Sequence, residues 1–161
     1  MCPSETPDTR TRLRKLYLAT NVLAASLVAP VAPAEEPPAP TIHAAIDGVR
    51  GDAGRIACAF FRSGDGFPVA SPPSPAVSVT ATIRDRGAVC VFRDVPPGTY
   101  AIAAMHDENR NGHLDRNWLG IPTEGYGFSE NASASLGAPS FQHASFAFDG
   151  GELFLTISLQ Y

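Results

Sequence analysis

Hydrophobic and polar residues alternate in short runs along the chain from residue 41 onward, and turn residues separate the runs. A period of two is typical of β-strands, whose successive side chains point to opposite faces of a sheet. The pattern predicts seven short strands, at residues 42–46, 55–61, 77–83, 88–92, 99–106, 144–148 and 152–161. No convincing helical period interrupts them. The predicted fold class is therefore all-β, an antiparallel two-sheet sandwich of the transthyretin-like or immunoglobulin-like kind.

The faces of individual strands refine this prediction. Residues 55–61 carry apolar side chains on both faces, which predicts a central strand covered on both sides. In residues 99–106, His106 shares a face with Tyr100, Ile102 and Ala104, and this face turns inward if the tyrosine does. The last strand alternates leucine and isoleucine with polar residues, so we expect one side to face the core and the other to face solvent.

The first 34 residues differ from the rest of the chain. The basic stretch RTRLRK at residues 10–15 leads into an apolar run, residues 16–28, which is followed by the small-residue motif APA at residues 32–34. This order is that of a secretory signal peptide. The apolar run is too short for a bilayer core, which needs about 20 residues. We expect cleavage after Ala34, a proline-rich tether at residues 35–40, and a single β-sandwich domain at residues 41–161.

Charge limits the partners of the mature chain. Loss of residues 1–34 leaves 8 Lys and Arg against 14 Asp and Glu, a net charge of −6. Such a charge argues against nucleic acid or anionic lipid as a partner. We expect no membrane insertion after signal cleavage, a periplasmic or secreted location, and an envelope protein or small ligand as partner.

The mature chain retains two cysteines, Cys58 and Cys90, because Cys2 lies within the predicted signal peptide. An even pair in an exported protein favours a disulfide. Two small buried apolar residues on strands would give the same pattern. The sequence leaves both interpretations open.

Several motifs resemble those of a known family. The run VPPGTYAI at residues 95–102 resembles the proline-glycine turn that leads into a strand in transthyretin-like and carboxypeptidase-regulatory-like domains. The order PPGTYA, HDENRNGHLD, GIPTEGYGFS, PSFQHA and a final tyrosine, at residues 96–101, 106–115, 120–129, 139–144 and 161, resembles the bacterial exported family catalogued as domain of unknown function 2141. This resemblance implies an exported β-sandwich and no particular reaction. Glu130 and His113 depart from the family's usual asparagine and lysine.

The stretch HDENRNGHLD, called the polar loop below (residues 106–115), is a candidate metal site. Its candidate ligands lie at offsets 1, 3, 5 and 9 of a D-x-N-x-N-G-x-x-D pattern, with Gly112 at offset 6; they are Asp107, Asn109, Asn111 and Asp115. Short oxygen-bearing side chains at alternate positions suit Ca²⁺, which takes six to eight oxygens. Offset 12 holds Trp118 where a calcium loop of the EF-hand type needs glutamate. The alternative is a turn whose Asp and Asn side chains bond their own main chain.

A catalytic interpretation centres on His106, Asp107 and Glu124, which could form the site of a metal-dependent hydrolase. A histidine on an inward face is more often a buried hydrogen-bonding strut than a catalyst. The sequence GFSEN at residues 127–131 is not the nucleophile motif G-x-S-x-G. The sequence therefore favours a function without catalysis and assigns no catalytic residue.

The aromatic residues near the glycine-rich segment 120–127 are candidates for ligand contact, although aromatic residues primarily serve burial. The full candidate ligand surface comprises His106, Glu108, Trp118, Glu124, Tyr126 and Phe128. The favoured hypothesis is an exported binding or accessory module that uses this surface. The alternatives are the metal-dependent hydrolase and a calcium-stabilised structural domain; Ca²⁺ is the one candidate cofactor, and no cofactor is required by the sequence.

Overall fold

The computed structural model describes residues 39–69, 77–133 and 137–161. The predicted signal peptide, residues 1–34, lies outside this range, as does the predicted tether apart from its last two residues. None of the helices in the described residues combines the length and the hydrophobicity that a membrane span requires.

Eight strands are present in this described part of the chain. They are β1 (Thr41–Asp47), β2 (Arg55–Phe61), β3 (Val77–Ala81), β4 (Ala88–Arg93), β5 (Gly98–Asp107), β6 (Tyr126–Phe128), β7 (Phe146–Phe148) and β8 (Glu152–Ser158). A 3-10 turn at Ser129–Asn131 follows β6, and a one-turn helix, α1 (Phe141–Ala144), precedes β7.

The strands form two sheets. One has the order β4-β1-β8, and the other has the order β3-β2-β5-β6, with β7 paired to the first residues of β5. The all-β sandwich predicted from the sequence is confirmed. The central position of β2, between β3 and β5, is confirmed as well.

Side chains from the facing surfaces of the two sheets fill the core. The most completely buried of them are Ile42, Ala44, Ile56, Cys58, Cys90, Ile102 and Ile157. Each fully buried isoleucine stabilises the fold by about 1.5–3 kcal/mol relative to an exposed one. The inward face predicted for β5 is confirmed, because Tyr100, Ile102, Ala104 and His106 are all buried.

A disulfide joins Cys58 on β2 to Cys90 on β4. Because β2 and β4 belong to different sheets, the bond crosses the core and links the two layers covalently. The disulfide interpretation of the two cysteines, left open by the sequence, is the one that the structure shows.

A second apolar cluster covers the outer face of the larger sheet. It contains Ala101 of β5, Phe128 of β6, Ala132 and Ala144, with Phe67 and Phe141 packed against them. The larger sheet is thus buried on both faces, which explains why β2 carries apolar residues at every position after its first.

The structure departs from the predicted strands in five respects. The segment expected to be a glycine-rich loop contains a short strand, β6, whose three residues are too few to show a period. The strand predicted from residue 144 begins at Phe146 after one turn of helix. The strand predicted over residues 77–83 ends at Ala81, and the strand predicted over residues 152–161 ends at Ser158. Finally, β1 and β8 pair in parallel, and only the remaining pairings are antiparallel; strand direction depends on contacts between distant residues.

Candidate functional site

The polar loop begins where β5 ends, and the strand separates its first two side chains. His106 and Asp107 are consecutive, so they lie on opposite faces of the larger sheet. Both are buried, at 1% and 0% exposure. His106 faces the core between the sheets, while Asp107 lies under the loop on the outer face. Gly54, with φ of 78°, makes the close approach to this strand end that allows the arrangement, since a Cβ there would collide with the backbone of residues 107 and 108.

His106 is held at both ring nitrogens. Nε2 lies 2.7 Å from the carbonyl oxygen of Ala53, which can only accept, so Nε2–H donates. In the neutral imidazole, the Tyr161 hydroxyl then donates to Nδ1 at 2.8 Å. The same hydroxyl oxygen accepts from the Arg50 main-chain N–H at 3.0 Å. His106 therefore ties the 50–54 turn and the chain terminus to the end of β5.

An ion pair covers this strut. The Arg50 guanidinium lies 2.7 Å from Oε1 of Glu108 and 4.5 Å above the centre of the Tyr161 ring. The hydrogen bond to Glu108 raises the pKa of Arg50 above its ordinary value. Glu108, a predicted ligand residue, is thus engaged with the Arg50 guanidinium, a partner that the sequence did not predict.

The side chain of Glu124 bonds to both ends of the polar loop. Its buried carboxylate accepts from the main-chain N–H of Glu108 at 2.8 Å and from that of Asp115 at 3.0 Å. Hydrogen bonds to an ionised acceptor are stronger than neutral ones. The carboxylate therefore fixes the separation of the loop's two ends.

Inside the loop, two asparagines form consecutive turns with their own main chain. Asn109 Oδ1 accepts from Asn111 N–H at 3.0 Å, and Asn111 Oδ1 accepts from His113 N–H at 2.8 Å. Their side-chain amides both donate to Asp115, at 2.7 and 2.9 Å. Three of the four predicted metal ligands, Asn109, Asn111 and Asp115, are therefore brought together. The predicted Asx turns are present as well.

The two carboxylate oxygens of Asp107, the fourth predicted ligand, have different surroundings. Oδ2 accepts from Arg55, at 2.8 Å from both Nε and Nη2, and from the Gly112 N–H at 3.1 Å. Oδ1 is buried and has no hydrogen-bond partner among the described residues. A buried carboxylate oxygen without a partner is uncommon in proteins, because desolvation is then uncompensated.

The comparisons with known proteins identify the family. The family model described as "Uncharacterized protein conserved in bacteria (DUF2141)" matches residues 44–154, more than half of the chain. The chain belongs to this family. The resemblance inferred from the sequence motifs is therefore confirmed, and the matched residues of this DUF2141 protein include the whole polar loop. No curated protein and no solved structure matches the chain.

The three residues of the hydrolase hypothesis have separate partners in this DUF2141 protein. His106 bonds Tyr161 and Ala53 in the core, Asp107 bonds Arg55 on the other face, and Glu124 bonds the loop backbone. Among the described residues, no group of three or more His, Cys, Asp and Glu side chains could hold a metal ion. Asparagine is not among these four residue types, so the two aspartates and two asparagines of the candidate calcium site do not count as a group of three.

The three aromatic candidates occupy very different surroundings. Trp118 is 91% exposed on the segment between the polar loop and β6. Tyr126 is half-buried on β6. Phe128 is only 7% exposed and belongs to the outer apolar cluster. Trp118 is the aromatic candidate best placed to contact a partner.

Three residues of the site were not predicted from the sequence: Arg50, Arg55 and Tyr161. Arg50 and Tyr161 are 111 positions apart, and Arg55 and Asp107 are 52 apart. The two arginines flank a turn-rich run and look like ordinary surface charges. A final tyrosine among the family motifs was the available signal for Tyr161.

The free energy of unfolding is expected to fall at alkaline pH because the buried Tyr161 hydroxyl loses its proton there. Burial raises the pKa of its hydroxyl above the ordinary value of about 10. The unfolded chain then loses this proton before the folded one does. The contribution of Tyr161 is fully present below about pH 10 and is lost as the pH rises through the folded pKa. Urea unfolding above pH 10 should show a steeper decline for the wild type than for Tyr161→Phe; equal slopes would contradict this account.

Proposed function

We propose that the protein is an exported, non-enzymatic binding module whose polar loop binds a calcium ion. The observation that carries the proposal is the Asp107 carboxylate: one oxygen is buried and has no hydrogen-bond partner in the described part of the chain, while the other accepts from Gly112 of the same loop. Export is part of the proposal and rests on the sequence of residues 1–34.

The donor set suits a hard cation. Two carboxylates and two amide oxygens occupy offsets 1, 3, 5 and 9, and Gly112 at offset 6 has φ of 81°, the left-handed backbone that a sharp bend requires. Asn109 and Asn111 use Oδ1 for single main-chain hydrogen bonds, and an amide oxygen has a second lone pair. These oxygens can therefore serve a cation without loss of the loop's own turns.

The energetics support the same site. A buried acceptor without a partner costs about 1–3 kcal/mol, and more when it is charged. A cation beside Asp107 Oδ1 would offset this cost. Arg55 already neutralises part of the charge, and Trp118 takes the place of a bidentate glutamate, so we expect weak affinity, with a Kd of about 10⁻⁴–10⁻³ M as in extracellular calcium modules.

We propose a function without catalysis because His106 and Glu124 are occupied by hydrogen bonds within the protein. A general base needs a free atom within reach of the substrate proton, and both nitrogens of the buried His106 bond the protein itself. The carboxylate of Glu124 accepts hydrogen bonds from two main-chain N–H groups. His106 thus holds the 50–54 turn and Tyr161, and Glu124 holds the two ends of the polar loop.

Calcium should raise the melting temperature of chelator-treated protein. At calcium concentrations about 100-fold above Kd, binding to the folded state alone adds about 2.7 kcal/mol, which is a shift of roughly 5–15 °C for a domain of this size. Scanning calorimetry with and without Ca²⁺ measures it. Magnesium, which demands a near-ideal octahedron, is the control and should shift the transition less. Equal transitions with chelator and with about 10 mM Ca²⁺ would exclude the proposed site.

A further inference from the structure

Asn111 is followed directly by Gly112 at an exposed position of the polar loop. We propose that this pair is a site of spontaneous covalent modification, at which the Asn111 side-chain amide is converted to a carboxylate. The Gly112 main-chain nitrogen bonds to Cγ of Asn111, and the side-chain amide leaves as ammonia with the proton that this nitrogen gives up. Water then opens the resulting succinimide ring at either carbonyl, which leaves aspartate or isoaspartate. The proposal goes beyond calcium binding and does not depend on it.

The bend of the loop requires the glycine that makes this attack possible. Gly112 has φ of 81°, in the left-handed region that favours glycine. A Cβ there would meet only a guanidinium nitrogen of Arg55, at 3.9 Å, so the space beside the Gly112 Cα is open. Because residue 112 has no side chain to screen its nitrogen, Cγ of Asn111 can approach it. The reactive pair is therefore a consequence of the backbone path.

The Asx turn of Asn111 holds the side-chain carbonyl over the peptide unit that attacks it. Asn111 Oδ1 accepts from the His113 N–H at 2.8 Å, which folds Cγ back over the intervening Gly112 peptide. Negative charge develops on this oxygen as the Gly112 nitrogen adds to Cγ, and a donor fixed on it stabilises that charge. The turn therefore brings the two reacting groups together and polarises the carbonyl.

Carboxylates lie beside the two nitrogens between which the proton passes. The Gly112 N–H donates to Asp107 Oδ2 at 3.1 Å, so an acceptor is in place for the proton that this nitrogen loses. The Asn111 amide donates to Asp115 Oδ1 at 2.9 Å. Asn111 is exposed, so water reaches the leaving amide and the ring carbonyls. Each group that the conversion needs is thus supplied by the polar loop or by solvent.

Asn109 provides a comparison within the same loop. Its Oδ1 accepts from the Asn111 N–H at 3.0 Å, and its amide also donates to Asp115, at 2.7 Å. The residue that follows it is Arg110, whose side chain screens the main-chain nitrogen. Both asparagines therefore have the same kind of turn and the same carboxylate partner, and the residue that follows distinguishes them.

Conversion changes the charge of the loop. A carboxylate at position 111 no longer donates to Asp115 and repels it, and isoaspartate also adds one carbon to the main chain. We therefore expect the converted protein to melt at a lower temperature in chelator than the unconverted protein.

Peptide mapping by mass spectrometry tests the proposal. Full-length chain, purified as the cell processes it, is incubated in chelator at mildly alkaline pH, either folded or unfolded in urea. The loop peptide of the folded chain should gain the mass difference between an amide and a carboxyl group at Asn111, at least about tenfold faster than at Asn109. Because the turn assists the attack, Asn111 should convert at least as fast in the folded chain as in urea.

Arg110→Gly is the matched variant, because Arg110 already has φ of 63°, where glycine fits. It places a glycine after Asn109 and should raise the conversion of Asn109 to the rate of Asn111. Equal rates at the two asparagines of the folded wild type, slower conversion of Asn111 in the folded chain than in urea, or an unchanged Asn109 in the variant would each overturn the proposal. Chelator removes calcium from every arm, so failure here leaves the proposed calcium site untouched.

Discussion

Replacing Cys58 and Cys90 together by alanine is expected to lower the free energy of unfolding by about 3–4 kcal/mol. The bond closes a loop between residues 32 positions apart and connects the two sheets, so it restricts the unfolded chain strongly. Both cysteines are 1% exposed, and alanine leaves a small cavity that adds to the loss. Urea unfolding with linear extrapolation measures the change.

Reduced wild-type protein is the control for this variant. It keeps both sulfur atoms but lacks the bond, so its stability should fall between those of the oxidised wild type and the alanine variant. If reduction leaves the unfolding midpoint unchanged, the disulfide does not stabilise the fold and this prediction is wrong.

Replacing His106 by alanine is expected to cost about 3 kcal/mol of unfolding free energy. The substitution removes a buried ring and two hydrogen bonds, and it leaves the Ala53 carbonyl and the Tyr161 hydroxyl without their partners. His113→Ala is the matched control, because the same imidazole is lost from an exposed position of the same loop. That variant should stay within about 0.5 kcal/mol of wild type.

The two histidine variants together separate a strut from a functional site. Equal and small effects at both positions would mean that His106 does not tie the chain terminus to β5. If His106 is a strut on the sheet face opposite the polar loop, its replacement should cost the same large free energy of unfolding with and without Ca²⁺.

The sequence predicted most of the fold because most strands are long enough to show alternation. β2 and β5 each carry a buried face, which their apolar residues indicated. β6 was missed because Tyr126–Phe128 lies among glycines and is defined by its pairing with Ala103 to Met105. The parallel pairing of β1 with β8 was missed because it joins residues about 110 positions apart.

The candidate site was predicted in part for similar reasons. Local hydrogen bonds of the polar loop follow from the spacing of Asp and Asn, so the Asx turns could be expected. The Arg55 partner of Asp107 could not, since a contact across two strands leaves no local pattern. Outside the alternating strands the sequence does not indicate exposure: Trp118 and Phe128 are both aromatic candidates, yet one is exposed and the other is buried.

The calcium site is tested most directly by Asn111→Asp, because the two accounts of the loop predict opposite outcomes. The Asn111 amide donates to Asp115 at 2.9 Å, so aspartate there places one carboxylate against another and should lower the melting temperature in chelator. A further carboxylate among calcium ligands should tighten binding by about tenfold.

Scanning calorimetry of Asn111→Asp and wild type, each in chelator and in millimolar Ca²⁺, is therefore the decisive measurement. The calcium account predicts that the variant melts below wild type in chelator and gains more from Ca²⁺ than wild type does. A deficit of the same size in both solutions would show that the loop is a turn held by its own hydrogen bonds and would contradict calcium binding.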